Sequence, residues 1–366
     1  MRLVLGGNMK LKRLAALVLA GVMCLTTFVG CGVKPEDTIA TLGEEKASFG
    51  VANFLVKYQK AQMDDMYAMY ASMYGVESMW DIDADQDGMK EEAYLKSAVM
   101  DLLHDMYTLR AHMADYGVEI TAEDEAAIKE AANAFLAANS EEAIAEFGAT
   151  EEIVSEVLTL YTIQAKMYEA ISADTNREVS DEDANMRGYS MIYIDLTGHY
   201  DDNSQWVEYT EEELDEIKAT VRGMNLDIKV KDMETVAKEN GYEVTTNAYH
   251  KKDVSMDKDL LAALNELKEG EVSDCIETEK AIYFLRINAD VDEQATEARR
   301  ESIIADREYA LYEEVLAKWQ ENDGWKVNES LLDEIEFHNI FTIYKETEEG
   351  TETSDVSETV DGTESN

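Results

Sequence analysis

The chain has 366 residues, with 32 Lys and Arg against 79 Asp and Glu and a formal net charge of −47. Affinity for nucleic acid comes from cations that neutralise phosphates, so a chain this acidic is excluded as a nucleic-acid binder, and an anionic bilayer would repel it unless something stronger held it there. One proline and 19 glycines, with abundant Ala, Glu, Met and Leu, point to a mostly helical protein.

The first 30 residues carry Arg2, Lys10, Lys12 and Arg13 and no acid, and an apolar run extends from Leu14 to Val29; this is the pattern of a secretory signal. Gly21, Thr26 and Thr27 interrupt the run, which falls short of the roughly 20 apolar residues that span a bilayer, so cleavage is expected. Met9 offers a second start with its own charged region. The segment closes Phe28-Val29-Gly30-Cys31, which resembles the bacterial lipobox, a small residue before a cysteine that becomes lipidated and N-terminal. An ordinary signal followed by an incidental cysteine is the alternative. A two-chain lipid on Cys31 would overcome the repulsion from the membrane, whereas one chain binds only marginally. With the signal removed the charge is −51, and Cys275 is the one cysteine left besides Cys31, so no disulfide framework is expected. Stability must come from core burial, for which the remaining chain is long enough for two domains.

Thr38 to Leu42 reads as a strand with a turn at Gly43. Phe49 to Tyr74 reads as a helix, with Met66, Met69, Tyr70, Met73 and Tyr74 at i, i+3, i+4, i+7 and i+8. A second helix is expected from Glu91 to Tyr116, ending at Gly117. Thr121-Ala122-Glu123-Asp124 forms a capping-box variant that starts a third. Ser140 to Gly148 is a short helix, and Thr150 caps a longer one through Ile153, Val157, Leu158 and Tyr161. Tyr189 to Ile194 is aromatic and branched enough for a strand, as is Ala281 to Ile287. Between them the pattern predicts helices near Glu211 to Val221, Met233 to Asn240 and Lys258 to Leu267, and a strand at Tyr242 to Thr246. A long helix from Thr296 to Gln320 follows, then a terminal strand at Trp325-Lys326-Val327. The last 21 residues hold eight acids and eight Ser or Thr without Lys, Arg or aromatics, the composition of a disordered acidic tail.

Leu267-Lys268-Glu269-Gly270-Glu271-Val272-Ser273-Asp274, with Ile276 to Glu279 and the strand Ala281 to Ile287, resembles the closing element of the parvulin-type foldase lipoproteins of the PrsA and SurA kind. Ile39 to Glu45 with its following helix, and Thr121 to Glu125, are similar to the same family. The resemblance implies an α+β protein in which a mainly helical chaperone-like domain, built from both chain ends, carries an inserted parvulin-like small α+β domain. Its boundaries would be a signal at 1–30, a helical domain at 31–184, a parvulin-like domain at 185–290, a completing helix at 291–345 and the tail at 346–366. It also implies a lipid-anchored foldase on the extracytoplasmic face of the bacterial membrane, with unfolded or nascent secreted polypeptides as partners and neither metal nor cofactor. Such isomerases speed rotation about X-Pro bonds, against a barrier of about 18–20 kcal/mol.

Active members carry a histidine in the first strand of the parvulin domain and another in the last. Here the matching positions are Ser190 and Tyr283, and the mid-domain glycine-rich turn is replaced by Asn247-Ala248-Tyr249-His250, which predicts weak or absent isomerase activity. His250 itself reads as a solvated loop residue. Ile192, Ile282 and Phe284 in the small domain, and Met66, Met69, Tyr70 and Met73 in the helical one, are expected to contact substrate. The Met and Tyr stripe fits either a core face or a client-binding face, because methionine adapts to varied partners.

Asp83, Asp85, Asp87 and Gly88 match the start of a calcium loop, but Tyr94 occupies the position of the bidentate glutamate and Lys90 an apolar position, so an acidic turn is the simpler reading. His104 and His112 read as surface or packing residues, and Cys275 as unreactive. A solute-binding lipoprotein, which would need two α/β lobes, and a structural surface protein are the rival functions.

Overall fold

The structure is a computed structural model and describes residues 32–83, 88–201 and 203–337. Cys31, the signal, Asp85, Asp87 and the acidic tail lie outside the described residues. In chain order the elements begin with β1 (Thr38–Leu42), β2 (Glu45–Ser48), α1 (Phe49–Tyr74), α2 (Glu91–Ala111), α3 (Ala122–Ala138), α4 (Glu141–Phe147) and α5 (Glu151–Ser172). They continue with α6 (Asp181–Ala184), β3 (Met186–Asp195), β4 (Gly198–Tyr200), β5 (Trp206–Glu208), α7 (Glu211–Asp227), α8 (Met233–Glu239), β6 (Val244–His250) and α9 (Lys258–Glu266). The chain closes with β7 (Ile276–Glu277), β8 (Ala281–Ala289), α10 (Glu293–Gln320), β9 (Lys326–Val327) and α11 (Glu329–Asp333). This is an α+β protein. The described residues divide into two compact units, one of those up to Ala173 together with those from Tyr312 onward and the other of those from Asp174 to Leu311.

In the first unit β1 is the middle strand of an antiparallel sheet ordered β2-β1-β9. Segments about 290 residues apart thus pair, Ala40 opposite Val327, and the Asn328 amide donates to the Ile39 carbonyl at 2.7 Å. The helices start where their capping residues stand. Ser48, Ser140 and Thr150 each accept from a backbone N–H of the first turn, and Thr121 with Asp124 forms a reciprocal capping box. Gly50 lies where α1 runs against α5 and the preceding loop, and a Cβ there would meet Ile153 Cδ1 at 2.7 Å. Around this contact Phe54 meets Phe135 and Phe147 edge-on at 5.4 and 5.8 Å, within a core that continues through Val99, Leu103, Tyr107 and Leu160. The Glu91–Tyr116 pattern is broken in fact: α2 stops at Ala111, and a 3-10 turn over Met113–Tyr116 reaches Gly117. At that break the His112 ring lies flat on Trp319 at 4.2 Å, while His104 stacks on Trp325 and sits 2.6 Å from Asp323. Both histidines are therefore packing residues that join α2 to the end of the chain.

The second unit is a four-stranded antiparallel sheet ordered β6-β3-β8-β7, with a separate β4-β5 hairpin. One face of the sheet packs on α7 and α8, through Ile192, Ile194, Ile282 and Phe284 against Val221, Met224, Met233 and Val236. The other packs on α9, through Tyr189, Tyr249, Leu285 and Ile287 against Leu260 and Leu264. Arg187 is 3% exposed, and its terminal nitrogens donate to Tyr249 Oη, to the Leu264 and Leu267 carbonyls and to Asp290, while its buried Nε has no hydrogen-bond partner. A buried guanidinium is tolerated only with such partners, and here it ties the start of β3 to the end of α9. Gly270 sits at φ +79° in the turn after α9, a left-handed conformation that a side chain would strain.

Asp124 carries a testable consequence. Its carboxylate accepts from Lys166 and from the backbone and hydroxyl of Thr121, and these hold it down at about 2 from an ordinary 3.8. A depressed carboxyl contributes stability that is present above its unfolded value and is lost as pH falls through its folded one, so the window is about pH 4 to 2. The shift corresponds to about 2 kcal/mol. Thermal unfolding of Asp124→Asn is expected to show a loss of that size at pH 7 and a flatter pH dependence within the window.

Candidate functional site

Two groups of residues from the sequence analysis meet opposite fates in the fold. The first lies on α1. From Gly50 to Val56 every residue of this helix is buried, but further along the two sides diverge. Tyr67 and Ala71 turn inward one turn apart. The Tyr67 ring packs on Trp80 at 4.3 Å, and its hydroxyl donates to Glu91 at 3.0 Å; burial and that bond push it up to about 12. Trp80 in turn donates from Nε1 to Asp64 at 2.9 Å and meets Phe337 edge-on. The opposite side has no such cover. Met66 is 37% exposed, Met69 61%, Met73 66% and Tyr74 67%, with Tyr70 half-buried between the two sides. Three methionines at i, i+3 and i+7 thus form a solvent-facing apolar stripe, and the choice left open between core and surface falls to the surface.

The second group lies on the small sheet. Side chains alternate faces along a strand, and antiparallel partners share a face. Ser190 stands opposite Arg286, whereas Tyr283 stands opposite Tyr193, an odd number of positions away. The two family positions therefore occupy adjacent strands but opposite faces, and the structure does not bring them together. Ser190, 1% exposed, faces the α8 side. Its Oγ accepts from Asn288 Nδ2 at 2.8 Å and from Arg286 at 3.4 Å, and contacts Thr246 Oγ1 at 3.3 Å. Arg286 also forms a two-pronged pair with Glu234, whose carboxyl it holds down at about 2. This is a cross-strand polar tie with no base aimed at the hydroxyl.

Tyr283 lies on the α9 face as part of a half-exposed ledge with Tyr193, Met191 and Ile276, the two phenol rings 5.5 Å apart. Tyr193 donates to Asp195 at 2.9 Å, and partial burial with that bond pushes it up to about 12. Burial, with Asp257 and Asp195 nearby, raises Tyr283 as well. Both hydroxyls are neutral donors at physiological pH.

Ile192, Ile282 and Phe284 are 0, 1 and 0% exposed in the core against α7 and α8, so they present no surface to a substrate. His250 is not a solvated loop residue. It ends β6, is buried, accepts at Nδ1 from the Lys252 amide and has Nε2 2.9 Å from the Glu182 carbonyl. Cys275 is half-buried, and burial followed by Glu277 and Asp274 raises its thiol, which leaves it protonated. At the acidic loop Asp83 accepts from the Gly88 amide at 2.8 Å. No group of His, Cys, Asp or Glu able to hold a metal occurs among the described residues. The β4-β5 hairpin, with Tyr200 69% exposed, was missed by sequence reasoning, although Asp201 to Gln205 between short aromatic runs was the signal available.

The architecture is that of a helical unit drawn from both chain ends together with a small antiparallel α+β unit. The solved structures it is similar to are foldases of the PrsA and SurA kind. The foldase protein PrsA of Lactococcus lactis matches at 13% identity and a TM-score of 0.33, over 82% of this chain and 99% of that one. PrsA of Streptococcus pneumoniae matches at 15% and 0.30, over 69% and 97%. A SurA-like chaperone structure from Campylobacter jejuni matches at 11% and 0.29, over 80% and 99%. No family model and no curated protein sequence matches the chain. Likeness at this level assigns no residue a role.

With Ser190 and Tyr283 on opposite faces, a protease-coupled assay on a proline peptide is expected to give a rate at background. A rate clearly above background that Tyr283→Ala abolishes would reverse that expectation.

Proposed function

We propose that this chain is an extracytoplasmic, membrane-anchored foldase or chaperone that holds unfolded secreted polypeptides, with a parvulin-like unit that contributes little or no prolyl isomerisation. The observation that carries the reading is the exposed Met66, Met69 and Met73 stripe with Tyr74 at the end of α1. Contiguous exposed apolar surface is unfavourable in water and marks a binding surface. Methionine suits clients of no fixed sequence, because its flexible, polarisable side chain conforms to different partners.

Anchoring rests on the lipobox-like Val29-Gly30-Cys31 behind a charged and apolar leader. No helix among the described residues is long and apolar enough to cross a membrane. No zinc spacing, serine elbow or phosphate loop competes for the role in sequence.

Light scattering of an aggregating unfolded client tests the holding function. The wild-type protein is expected to suppress aggregation, and the double variant Met69→Ser with Met73→Ser to lose most of that effect. The same variant should unfold within about 0.5 kcal/mol of wild type, because exposed positions contribute little to stability. Suppression that survives the double substitution would remove the stripe from the function. For the anchor, Cys31→Ser is expected to move the protein from the membrane to the soluble fraction, as seen by fractionation.

A further inference from the structure

We infer that the α1 stripe selects for cationic clients, binding apolar segments that also carry Lys or Arg in preference to apolar segments that carry Asp or Glu. This deepens the holding function proposed above and rests on it.

From Ala61 to Met89 the sequence contains Asp64, Asp65, Glu77, Asp81, Asp83, Asp85 and Asp87 and no Lys, Arg or His. The two lysines that α1 does contain, Lys57 and Lys60, are 5% and 3% exposed and turned into the fold. Lys57 pairs with Glu146 at 3.1 Å, and Lys60 pairs with Asp64 at 2.7 Å beside the Phe337 ring. Neither reaches the stripe. Asp65, exposed, precedes Met69 by one helical turn and so shares its side of the helix. Glu77 is exposed just past Tyr74 and the Gly75 cap. Asp64 is paired by Lys60 and Asp81 by Lys90, so the carboxylates that border the apolar strip in solvent are Asp65 and Glu77.

The second unit repeats the composition independently. Tyr200, Trp206 and Val207 of the β4-β5 hairpin are 69, 47 and 41% exposed, and Tyr200 meets Trp206 edge-on at 5.1 Å. No Lys or Arg occurs between Arg187 and Lys218, a stretch that holds Asp195, Asp201, Glu208 and the Glu211-Glu212-Glu213 run. The α1 stripe and the β4-β5 hairpin thus each lie in a stretch of chain that holds carboxylates and no Lys or Arg. A segment that offers Lys or Arg beside its apolar residues keeps those charges favourably placed when it lies on such a surface. A segment that offers Asp or Glu brings like charges together, at a cost that salt screens.

The test uses the full chain and three unstructured fluorescent peptides of one length. The first has Leu and Phe with interspersed Lys, the second the same apolar residues with Glu, and the third Ser with Lys and no apolar residue. Fluorescence anisotropy at about 50 mM salt is expected to show the first binding about tenfold more tightly than the second, and the gap closing at about 500 mM. Equal binding of the first two, or preference for the Glu peptide, overturns the inference. So does Ser-Lys binding as tight as Leu-Phe-Lys, since general attraction to an acidic protein would then suffice. The double variant Asp65→Lys with Glu77→Lys changes a net charge of −47 by only about four units. It is expected to lose most of the Lys preference, and an unchanged preference places the selectivity elsewhere and overturns the assignment to α1. If neither apolar peptide binds, the holding function itself fails, and the inference fails with it.

Discussion

The helix α1 is longer than the core beneath it, and most of what this protein presents to solvent follows from that mismatch. Twenty-six residues rise about 39 Å, and the aromatic cluster of Phe54, Phe135 and Phe147 covers only the first turns. Beyond Lys60 the helix is held on one side alone, where Tyr67 meets Trp80 and Asp64 accepts from Trp80. A helix gripped along one side keeps its shape while its other side stays free. Here that free side is methionine, a residue whose exposure has no structural return and whose adaptability suits transient partners.

The small unit is governed by strand alternation. Because β3 and β8 are neighbours in the middle of their sheet, each face is decided for both strands at once. Ile192, Ile194, Ile282 and Phe284 build the larger core against α7 and α8, and Ser190 joins that side among Arg286, Asn288 and Thr246. Tyr283 goes to the other side with Tyr193. A shift of one residue in register would exchange these sets, but it would also expose Phe284 and bury Arg286 without Glu234, and the packing forbids it.

Charge is arranged with the same economy. Lys57, Lys60 and Lys96 are buried in ion pairs, and Arg187 is buried among carbonyls, Tyr249 and Asp290. Breaking one partner of such a pair strands the other, which makes these contacts specific even where their net contribution is small. These buried cations hold elements together internally, and the stretches around Met66, Met69 and Met73 and around Tyr200 and Trp206 carry acids without Lys or Arg.

What the chain determined on its own was local. Ser48, Thr121, Ser140 and Thr150 cap the helices they precede, Gly117 and Gly148 end helical turns, and Gly270 shapes the turn after α9, because such signals act within a turn of the backbone. The Met66, Met69 and Met73 spacing declared a stripe but not its fate, since a 3.6-residue period is the same whether the partner is protein or water. The even and odd faces of β3 could be counted in sequence, yet aligning Ser190 with Tyr283 needed the register between strands about 90 residues apart. The break in α2 at Ala111 was hidden for a related reason: His112 leaves the helix to lie on Trp319, a contact made from the far end of the chain. Burial, register and long-range stacking are properties of pairs of segments, and only the tertiary structure decides which segments meet.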